Sequence, residues 1–227
     1  MEEILSRLRR SELFCDLPEA VLRADILPQG ILREAVRGQY LITPQTAADH
    51  FAVVLEGRIQ LLHLFADGGY DLFGVLQPGG TLGADLICTR TRLSPYYAMA
   101  AAPAQLLFFP AELILRPGRL EEVHRLAVLD RLLLTLSNAN LKREYRLAIL
   151  SRKGLRDRIL TYLTMQAGKR GTDRFAIPFS REELASYLCV NRSALSHELS
   201  RMEQEGLISF RKNIFVLHGF SGEERIQ

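Results

Sequence analysis

The sequence predicts an α+β fold. An antiparallel β-roll of the double-stranded β-helix or jelly-roll type precedes a long helix and a C-terminal winged helix-turn-helix domain. Three observations predict it: short apolar runs broken by Gly, Pro and Asp clusters over residues 30–110, leucines at heptad spacing over 119–150, and two short helices with a hairpin over 179–217. The expected domains are 1–118, 119–150 and 151–227.

Composition and charge narrow the function classes. A chain of 227 residues with 48% hydrophobic and 24% charged residues can bury two modest cores as a soluble globular protein. The formal charge of +3 is mild, but the basic excess lies in residues 151–227, as a polyanion-binding domain requires. The sequence has no apolar run of signal-peptide or transmembrane type, so we expect a cytoplasmic protein without a membrane partner.

The N-terminal domain is expected to begin with short helices over residues 2–24, interrupted at Leu17-Pro18. Regular short strands with turn signals then indicate a compact antiparallel barrel or sandwich. Asp67-Gly68-Gly69 is a hairpin turn. The predicted strands are Tyr40–Ile42, Phe51–Leu55, Ile59–Phe65, Tyr70–Leu76, Tyr96–Ala101 and Gln105–Phe109.

Leucines at heptad spacing characterise residues 119–150, the longest helical segment. One a position holds Asn140, and a single Asn at such a position fixes the register of parallel coiled coils. A single globular core would also give leucines at this spacing. We expect a dimerisation helix whose pairing positions are Leu126, Leu129, Leu133, Leu136, Asn140 and Leu147.

The helix-turn-helix begins with a capping box, in which the hydroxyl of Ser180 and the carboxylate of Glu183 satisfy each other's backbone N–H groups. Cys189-Val190 breaks the first helix, and Asn191 is a good N-cap for the second. Leu195, Leu199 and Met202 recur at helical spacing and are expected to face inward. The opposite face carries the short polar residues Ser193, Ser196, His197, Ser200 and Gln204, with Arg192 at the exposed first turn.

Short polar side chains allow a helix to enter the major groove of DNA, where an Arg can fork to guanine or contact a phosphate. Two apolar strands flank Arg211-Lys212-Asn213 over residues 207–217, which predicts a hairpin wing with a basic tip. A helical hairpin with a solvated face is the alternative for the two helices alone, and the wing favours DNA binding. The expected phosphate contacts are Ser180, Arg181, Arg201, Arg211 and Lys212.

The run S-R-E-E-L-A-S-Y-L-C-V-N-R-S-A-L-S-H-E-L-S-R-M-E-Q-E-G-L-I, residues 180–208, resembles the C-terminal domain of Crp/Fnr-type bacterial transcription regulators. The resemblance places the base-reading positions of that family on Arg192, Ser193, Ser196 and His197. Ser193 stands where a Glu is often found, and His197 where an Arg usually reads guanine. The operator sequence therefore does not follow from the family.

The preceding domain resembles the cyclic-nucleotide-binding β-roll that this family uses as a sensor. V-V-L-E-G at 53–57 matches the start of a strand pair, and G-G-T-L-G-A-D at 79–85 with S-P-Y-Y-A at 94–98 occupies the place of the phosphate-binding cassette. A cassette that holds cyclic AMP resembles F-G-E followed by P-R-S-A, whose Glu binds the ribose and whose Arg pairs with the phosphate. Ala84 and either Tyr96 or Tyr97 stand at those positions here, so no tight cyclic AMP binding is expected. The resemblance puts the effector pocket on Leu82, Gly83, Ala84, Asp85, Tyr96, Tyr97, Arg143 and Glu144.

A metal-dependent cupin-like enzyme, or a ligand-binding module whose C-terminal domain mediates protein contacts, is the alternative interpretation. Cupin-like barrels cluster His and carboxylate ligands, whereas His50 and His63 are isolated and His124 falls on the next helix. Haem stays open as a cofactor, with His63, His124 and Cys88 as axial candidates. Cys15, Cys88 and Cys189 are widely spaced without a C-x-x-C pair, which argues against an iron–sulfur cluster, a zinc site and a disulfide framework. The sequence has no catalytic motif, so neither a metal site nor enzyme activity is expected.

The sequence therefore predicts a homodimeric, sequence-specific transcription regulator in which an effector in the β-roll shifts how the long helices meet. Its expected partners are a near-palindromic duplex operator, a second copy of the chain, a small-molecule effector and, if it activates transcription, RNA polymerase. Recognition helices roughly 34 Å apart, one turn of DNA, suit such an operator. The effector, the operator sequence and the direction of regulation stay open.

Overall fold

The computed structural model describes residues 1–66 and 68–219, and the chain divides into two compact units, Met1–Leu141 and Lys142–Gln227. The helices are α1 Glu2–Leu8, α2 Glu19–Val21, α3 Ala84–Ile87, α4 Glu112–Leu115, α5 Glu122–Leu150, α6 Leu155–Arg170, α7 Arg181–Tyr187 and α8 Arg192–Gln204. The strands are β1 Ile31–Ala35, β2 Tyr40–Ile42, β3 His50–Glu56, β4 Ile59–Leu64, β5 Tyr70–Leu76, β6 Thr81–Leu82, β7 Tyr97–Ala100, β8 Ala104–Pro110, β9 Arg174–Ala176, β10 Ile208–Arg211 and β11 Ile214–Leu217.

The N-terminal unit is built on two antiparallel four-stranded sheets, ordered β1-β8-β3-β6 and β2-β7-β4-β5. In β3 the side chains alternate between two cores, because successive residues of a strand point to opposite faces. Phe51 and Val53 pack with the helices outside the roll, whereas Ala52 and Val54 pack inside it, between the sheets. Both faces of this sheet are therefore buried, and the predicted α+β fold with an antiparallel N-terminal domain is confirmed.

The strands of the N-terminal unit that the sequence did not predict are β1 and β6. β1 is an edge strand whose Ile31 and Leu32 are both exposed, so its apolar residues do not alternate with polar ones. β6 has only two residues. Each predicted strand overlaps an observed one, from β2 to β8. The predicted hairpin turn joins β4 to β5, and its Asp67 lies outside the described residues.

Helical structure continues beyond the predicted residue 24, through a π-helical turn at Leu22–Ile26 and a 3-10 turn at Leu27–Gln29. Gly57, between β3 and β4, shows where the roll depends on glycine. Its φ is +82°, and a Cβ there would lie 2.4 Å from the carbonyl oxygen of Pro103. Any other residue at this corner would therefore be both strained and in collision with the backbone.

Helix α5 has two apolar stripes. One faces the core of the N-terminal unit, where Val128 and Leu132 are buried and the predicted pairing residues Leu129 and Leu136 are partly buried beside them. Another set of apolar residues of α5 is exposed, with Leu133 at 65% exposure. We call this set the exposed stripe; its members are Val123, Leu126, Leu133, Leu134, Leu141, Tyr145 and Leu147.

The C-terminal unit packs α6, α7 and α8 against a three-stranded sheet ordered β10-β11-β9. Leu163 of α6, Leu195 and Leu199 of α8 and Phe215 of β11 are fully buried. The hairpin of β10 and β11 turns at Lys212 and Asn213, with Arg211 opposite Ile214. The predicted helix-turn-helix and wing are therefore present.

Candidate nucleic-acid interface

Helix α8 presents its polar residues outward as predicted. Asn191 caps it, since its side-chain oxygen accepts a hydrogen bond of 2.7 Å from the backbone N–H of Ala194. The buried row is Leu195, Leu199 and Met202. Arg192, Ser193, His197, Ser200 and Gln204 are exposed, and Ser196 is half-buried.

Helix α7 begins with the predicted capping box: the backbone N–H of Glu183 donates to the Ser180 hydroxyl, and the Glu183 carboxylate accepts from the Ser180 N–H at 2.7 Å. Glu183 is itself buried. The turn into α8 passes through Cys189, whose φ of +56° lies in the left-handed region, which is uncommon for a side-chain-bearing residue. The angle between α7 and α8 therefore depends on the conformation of this turn, which contacts from other residues have to stabilise.

Two arginines hold this turn, and neither was predicted from the sequence. The Arg146 guanidinium, from the last turns of α5, donates from Nε to the carbonyl oxygen of Tyr187 at 3.2 Å and lies 5.1 Å from the centroid of the Tyr187 ring. Arg158 of α6 donates to the carbonyl oxygen of Leu188, also at 3.2 Å. These carbonyls end α7, where a helix has unsatisfied acceptors and favours positive charge. We call Arg146 and Arg158 the turn clamp.

Arg146 also acts on the tyrosine that it covers. Burial raises the pKa of the Tyr187 hydroxyl, and the positive charge of Arg146 opposes that shift. The Tyr187 ring packs against Phe179, with centroids 4.8 Å apart, and against Tyr162 at 5.6 Å. The turn clamp therefore reaches the aromatic core of the C-terminal unit. Arg146 is not among the predicted pairing positions of α5, and no local pattern connects it with Tyr187.

A second arginine contact fixes the back of α8. Arg156 of α6 binds Glu198 at 2.7 Å and Glu205 through both guanidinium nitrogens, at 2.6 and 2.9 Å. The hydrogen bond from Arg156 lowers the pKa of the Glu205 carboxyl. Glu205 also lies 3.4 Å from Arg201, which the sequence analysis had assigned to a phosphate. Arg201 is exposed, so it stays available to an anion while paired.

Arg181 joins α7 to the wing. Its guanidinium lies 4.8 Å from the ring centroid of Phe210 and 5.7 Å from that of Phe215, and it donates to the carbonyl oxygen of Lys212 at 3.4 Å. Burial lowers the pKa of Arg181, and the neighbouring positive charge of Arg192 lowers it further. The side chain is thus a half-buried cation beside another cation, a combination that attracts an anion such as a phosphate.

The wing tip adds further positive charge. Arg211 and Lys212 are exposed, and Lys212 has a φ of +56° at the turn. Ser180, also a predicted phosphate contact, is exposed at the start of α7 although its hydroxyl caps that helix. The predicted base and phosphate residues therefore all belong to α7, α8 and the wing of a single compact unit.

The predicted effector residues of the N-terminal unit lie together. Gly83 is the left-handed N-cap of the short helix α3, which holds the buried Ala84 and the half-buried Asp85. Tyr96 is only 3% exposed, and its hydroxyl donates to the Asp85 carboxylate at 2.8 Å. The Tyr96 ring packs edge-on against Phe73, with centroids 5.4 Å apart.

The other predicted effector residues are less closely connected to this group. Tyr97 in β7 packs on the ring of Tyr40, with centroids 5.4 Å apart. Arg143 and Glu144 are exposed on the part of α5 that belongs to the C-terminal unit.

The candidate haem and metal ligands do not form a cluster within the described residues, where no group of three or more His, Cys, Asp or Glu side chains could hold a metal ion. His63 stacks on Phe73 and lies 3.8 Å from Asp71. His124 lies 3.6 Å from Glu121. Among the same residues no helix is long and apolar enough to cross a membrane.

Two family models match this chain. The model of the cyclic nucleotide-binding domain matches residues 32–116, and that of the Crp-like helix-turn-helix domain matches residues 131–218. The chain is 25% identical over 189 residues to the nitrogen fixation regulation protein FixK of Bradyrhizobium diazoefficiens, covering 80% of this chain and 73% of that protein. The name of that relative describes a regulator of nitrogen fixation.

Solved structures share the fold. FixK2 from Bradyrhizobium japonicum superposes with a TM-score of 0.64 at 17% identity, covering 86% of this chain and 95% of that one. The regulator CLP from Xanthomonas campestris, described as c-di-GMP responsive, gives 0.69 at 17% identity and covers 88% and 100%. With a cyclic nucleotide-binding domain followed by a Crp-like helix-turn-helix domain, the chain belongs to the Crp/Fnr type of DNA-binding transcription regulators.

Proposed function

We propose that this regulator binds a near-palindromic operator as a homodimer, with α8 of each subunit in the major groove. The observation that carries the proposal is the exposed polar face of α8, which begins at Arg192 and continues through Ser193 and His197. Short side chains such as serine allow the helix backbone to approach the base edges closely, and an Arg at the first turn can donate two hydrogen bonds to a guanine.

Phosphate contacts would fix the position of α8 in the groove, since such contacts orient a protein on DNA without reading its sequence. Arg181 is held in place by Phe210, and Arg211 and Lys212 extend from the wing. Within the described residues, Arg192, Arg211 and Lys212 lie in no ion pair with a carboxylate, so their charge is available to the DNA. Arg201 and Ser180 would contribute at the edge of this surface.

Homodimer formation is supported by the exposed stripe of α5. Leu126, Leu133 and Leu147 are each more than half exposed, and a row of exposed leucines along one helix is the kind of surface that pairs with a second copy. Asn140 is exposed on the same helix and would fix the register. We propose that residues 119–150 pair the subunits and thereby set the separation of the two α8 helices.

The β-roll of residues 1–118 would be the sensor, with an effector other than cyclic AMP. Ala84 supplies no carboxylate for a ribose, and either Tyr96 or Tyr97 stands at the position of the arginine that would pair with a phosphate. The buried Tyr96 is hydrogen-bonded to Asp85. If the protein activates transcription, RNA polymerase is a further partner.

The experiment is selection of binding sites from a random duplex library with the purified full-length protein, followed by light scattering of the complex. The expected result is an enriched near-palindrome with half-sites one helical turn apart, bound by two copies of the chain. Failure to enrich any site, or enrichment of a single half-site by one copy, would contradict the proposal.

A further inference from the structure

The interior of the β-roll opens at one end between the edge strands β1 and β2. Antiparallel pairing shows which residues share the inner face, because directly opposed side chains lie on the same side of a sheet. Arg33 of β1 is opposite Leu106, whose side chain lies in the inner core. His50 of β3 is two residues before Ala52, on the same face. The inner face is therefore apolar in depth, and Arg33 and His50, both exposed to solvent, lie on the same face at its open end.

A cavity of about 120 Å³ lies at this end. Its apolar wall is formed by the two sheets, and its polar groups come from Arg33 and His50 and from Thr46 and Asp49 in the segment between β2 and β3. The guanidinium of Arg33 lies 5.0 Å from the centroid of the Phe108 ring, which holds the cation at the wall. The lining residues that matter here are Arg33, Leu41, Ile42, His50, Leu82 and Phe108.

The charge of Arg33 is not neutralised by a neighbour. The nearby carboxylate, Asp49, lies 3.3 Å from the guanidinium of Arg92 and is largely exposed. Glu34, next to Arg33 in sequence, accepts from Gln105 on the other face of the sheet. Within the described residues Arg33 has no carboxylate at ion-pair distance, and Asp49, which also lines the cavity, pairs with Arg92, so the charge of Arg33 is available to a ligand.

We infer that this cavity binds a short-chain carboxylate, with its carboxylate on Arg33 and its alkyl chain against Leu41, Ile42 and Leu82. A planar guanidinium matches a carboxylate with two parallel hydrogen bonds. Size limits the chain: a buried apolar cavity of about 150 Å³ accommodates benzene, so about 120 Å³ accommodates an acid of four or five carbons. A nucleotide is far too large for it.

The rim of this cavity is connected to the predicted effector residues. The backbone N–H of Ala48 donates to the carbonyl oxygen of Arg92 at 2.9 Å, and that of Ser94 donates to Thr46 at 3.1 Å. Ser94 in turn hydrogen-bonds the backbone of Tyr96. A ligand that displaces the rim would therefore move the segment that holds Tyr96. A role for the carboxylate as effector rests on the proposed regulator function, whereas binding itself does not.

The test is titration calorimetry of the full-length protein with butyrate at constant ionic strength, with 1-butanol as the uncharged probe. We expect butyrate to bind with a Kd of about 1 mM, and 1-butanol about tenfold more weakly or not at all. Arg33→Gln should weaken butyrate binding by about tenfold or more. Arg37→Gln, at an exposed neighbouring position outside the cavity, is the matched control and should leave the Kd unchanged.

Three results would overturn the site. They are an absence of butyrate binding at concentrations well above about 1 mM, a Kd for 1-butanol equal to that for butyrate, and equal effects of Arg33→Gln and Arg37→Gln on the Kd for butyrate. DNA binding measured on the same samples separates this inference from the proposed function. Absence of butyrate binding with DNA binding intact removes only the carboxylate site. Butyrate binding without DNA binding supports the site and removes the regulator proposal.

Discussion

Removing the guanidinium of Arg146 should weaken operator binding although this side chain belongs to the turn clamp and not to the polar face of α8. A pair of its contacts reaches Tyr187, a charged hydrogen bond of 3.2 Å to the carbonyl oxygen and a cation–π contact at 5.1 Å, and its Nη2 also donates to the Cys189 sulfur at 3.7 Å. A hydrogen bond to a charged group contributes about 1.5–3 kcal/mol and an exposed cation–π contact about 0.5–1 kcal/mol. Because Arg146 is partly exposed, we take about 1–2 kcal/mol for the pair of contacts in Arg146→Ala.

The assay measures affinity for the selected operator and for random duplex DNA over a range of salt concentrations. If the clamp fixes the angle of α8, operator affinity falls about tenfold, while random-duplex affinity and the slope of log K against log salt are unchanged. Arg146→Lys should recover only part of the loss, since a lysine keeps the charge but cannot stack as a guanidinium does. Lys142→Ala, an exposed cation one turn earlier on the same helix, is the control. A lower salt slope in Arg146→Ala would instead make Arg146 a phosphate contact and refute the clamp.

Four further outcomes are expected. Arg192→Ala should weaken the free energy of operator binding by about 1–3 kcal/mol if the side chain donates two hydrogen bonds to a guanine. An unchanged affinity would show that Arg192 does not contact the operator. Leu133→Glu, at a position 65% exposed, should leave the fold intact and raise the dimer dissociation constant by about tenfold or more in light scattering; an unaffected dimer contradicts the pairing role. Calorimetry with cyclic AMP should show no binding, and a micromolar or tighter Kd would contradict the interpretation of the cassette. Arg156 lowers the pKa of Glu205, so their pairing stabilises the fold above a pH of about 4.3, and this stabilisation is lost as the pH falls through the lowered pKa. Arg156→Gln should reduce this loss of stability at acid pH, measured by urea unfolding. An unchanged pH profile would show that the pair adds no stability.

Local patterns in the sequence predicted the DNA-binding unit well. The capping box of Ser180 and Glu183, the cap at Asn191 and the buried row of α8 are set by interactions within one or two helical turns, so spacing alone identifies them. The strands β2 to β5 were also found, because glycine and proline clusters mark their ends. β1 was not found, since an edge strand with Ile31 and Leu32 both exposed has no alternation to detect.

The contacts that hold these elements together could not be predicted from spacing. Arg146 and Tyr187 are 41 residues apart in sequence, and nothing local indicates that they meet. Heptad spacing likewise could not separate the two stripes of α5: Leu129 packs on the N-terminal core while Leu133, one turn later, is exposed. Both features arise from tertiary packing. Arg33 was not singled out because it is an exposed Arg in an edge strand, and the cavity beside it is formed by residues of other strands.

The central claim is that the exposed face of α8 reads DNA sequence, and the most direct measurement is the operator selected by a variant of that face. Site selection with wild type and with His197→Ala should give near-palindromes that differ at one symmetric pair of positions, while the salt slope on random DNA stays the same. Identical enriched sequences from the two proteins, with equal affinities, would contradict the claim that this face of α8 determines which operator is bound.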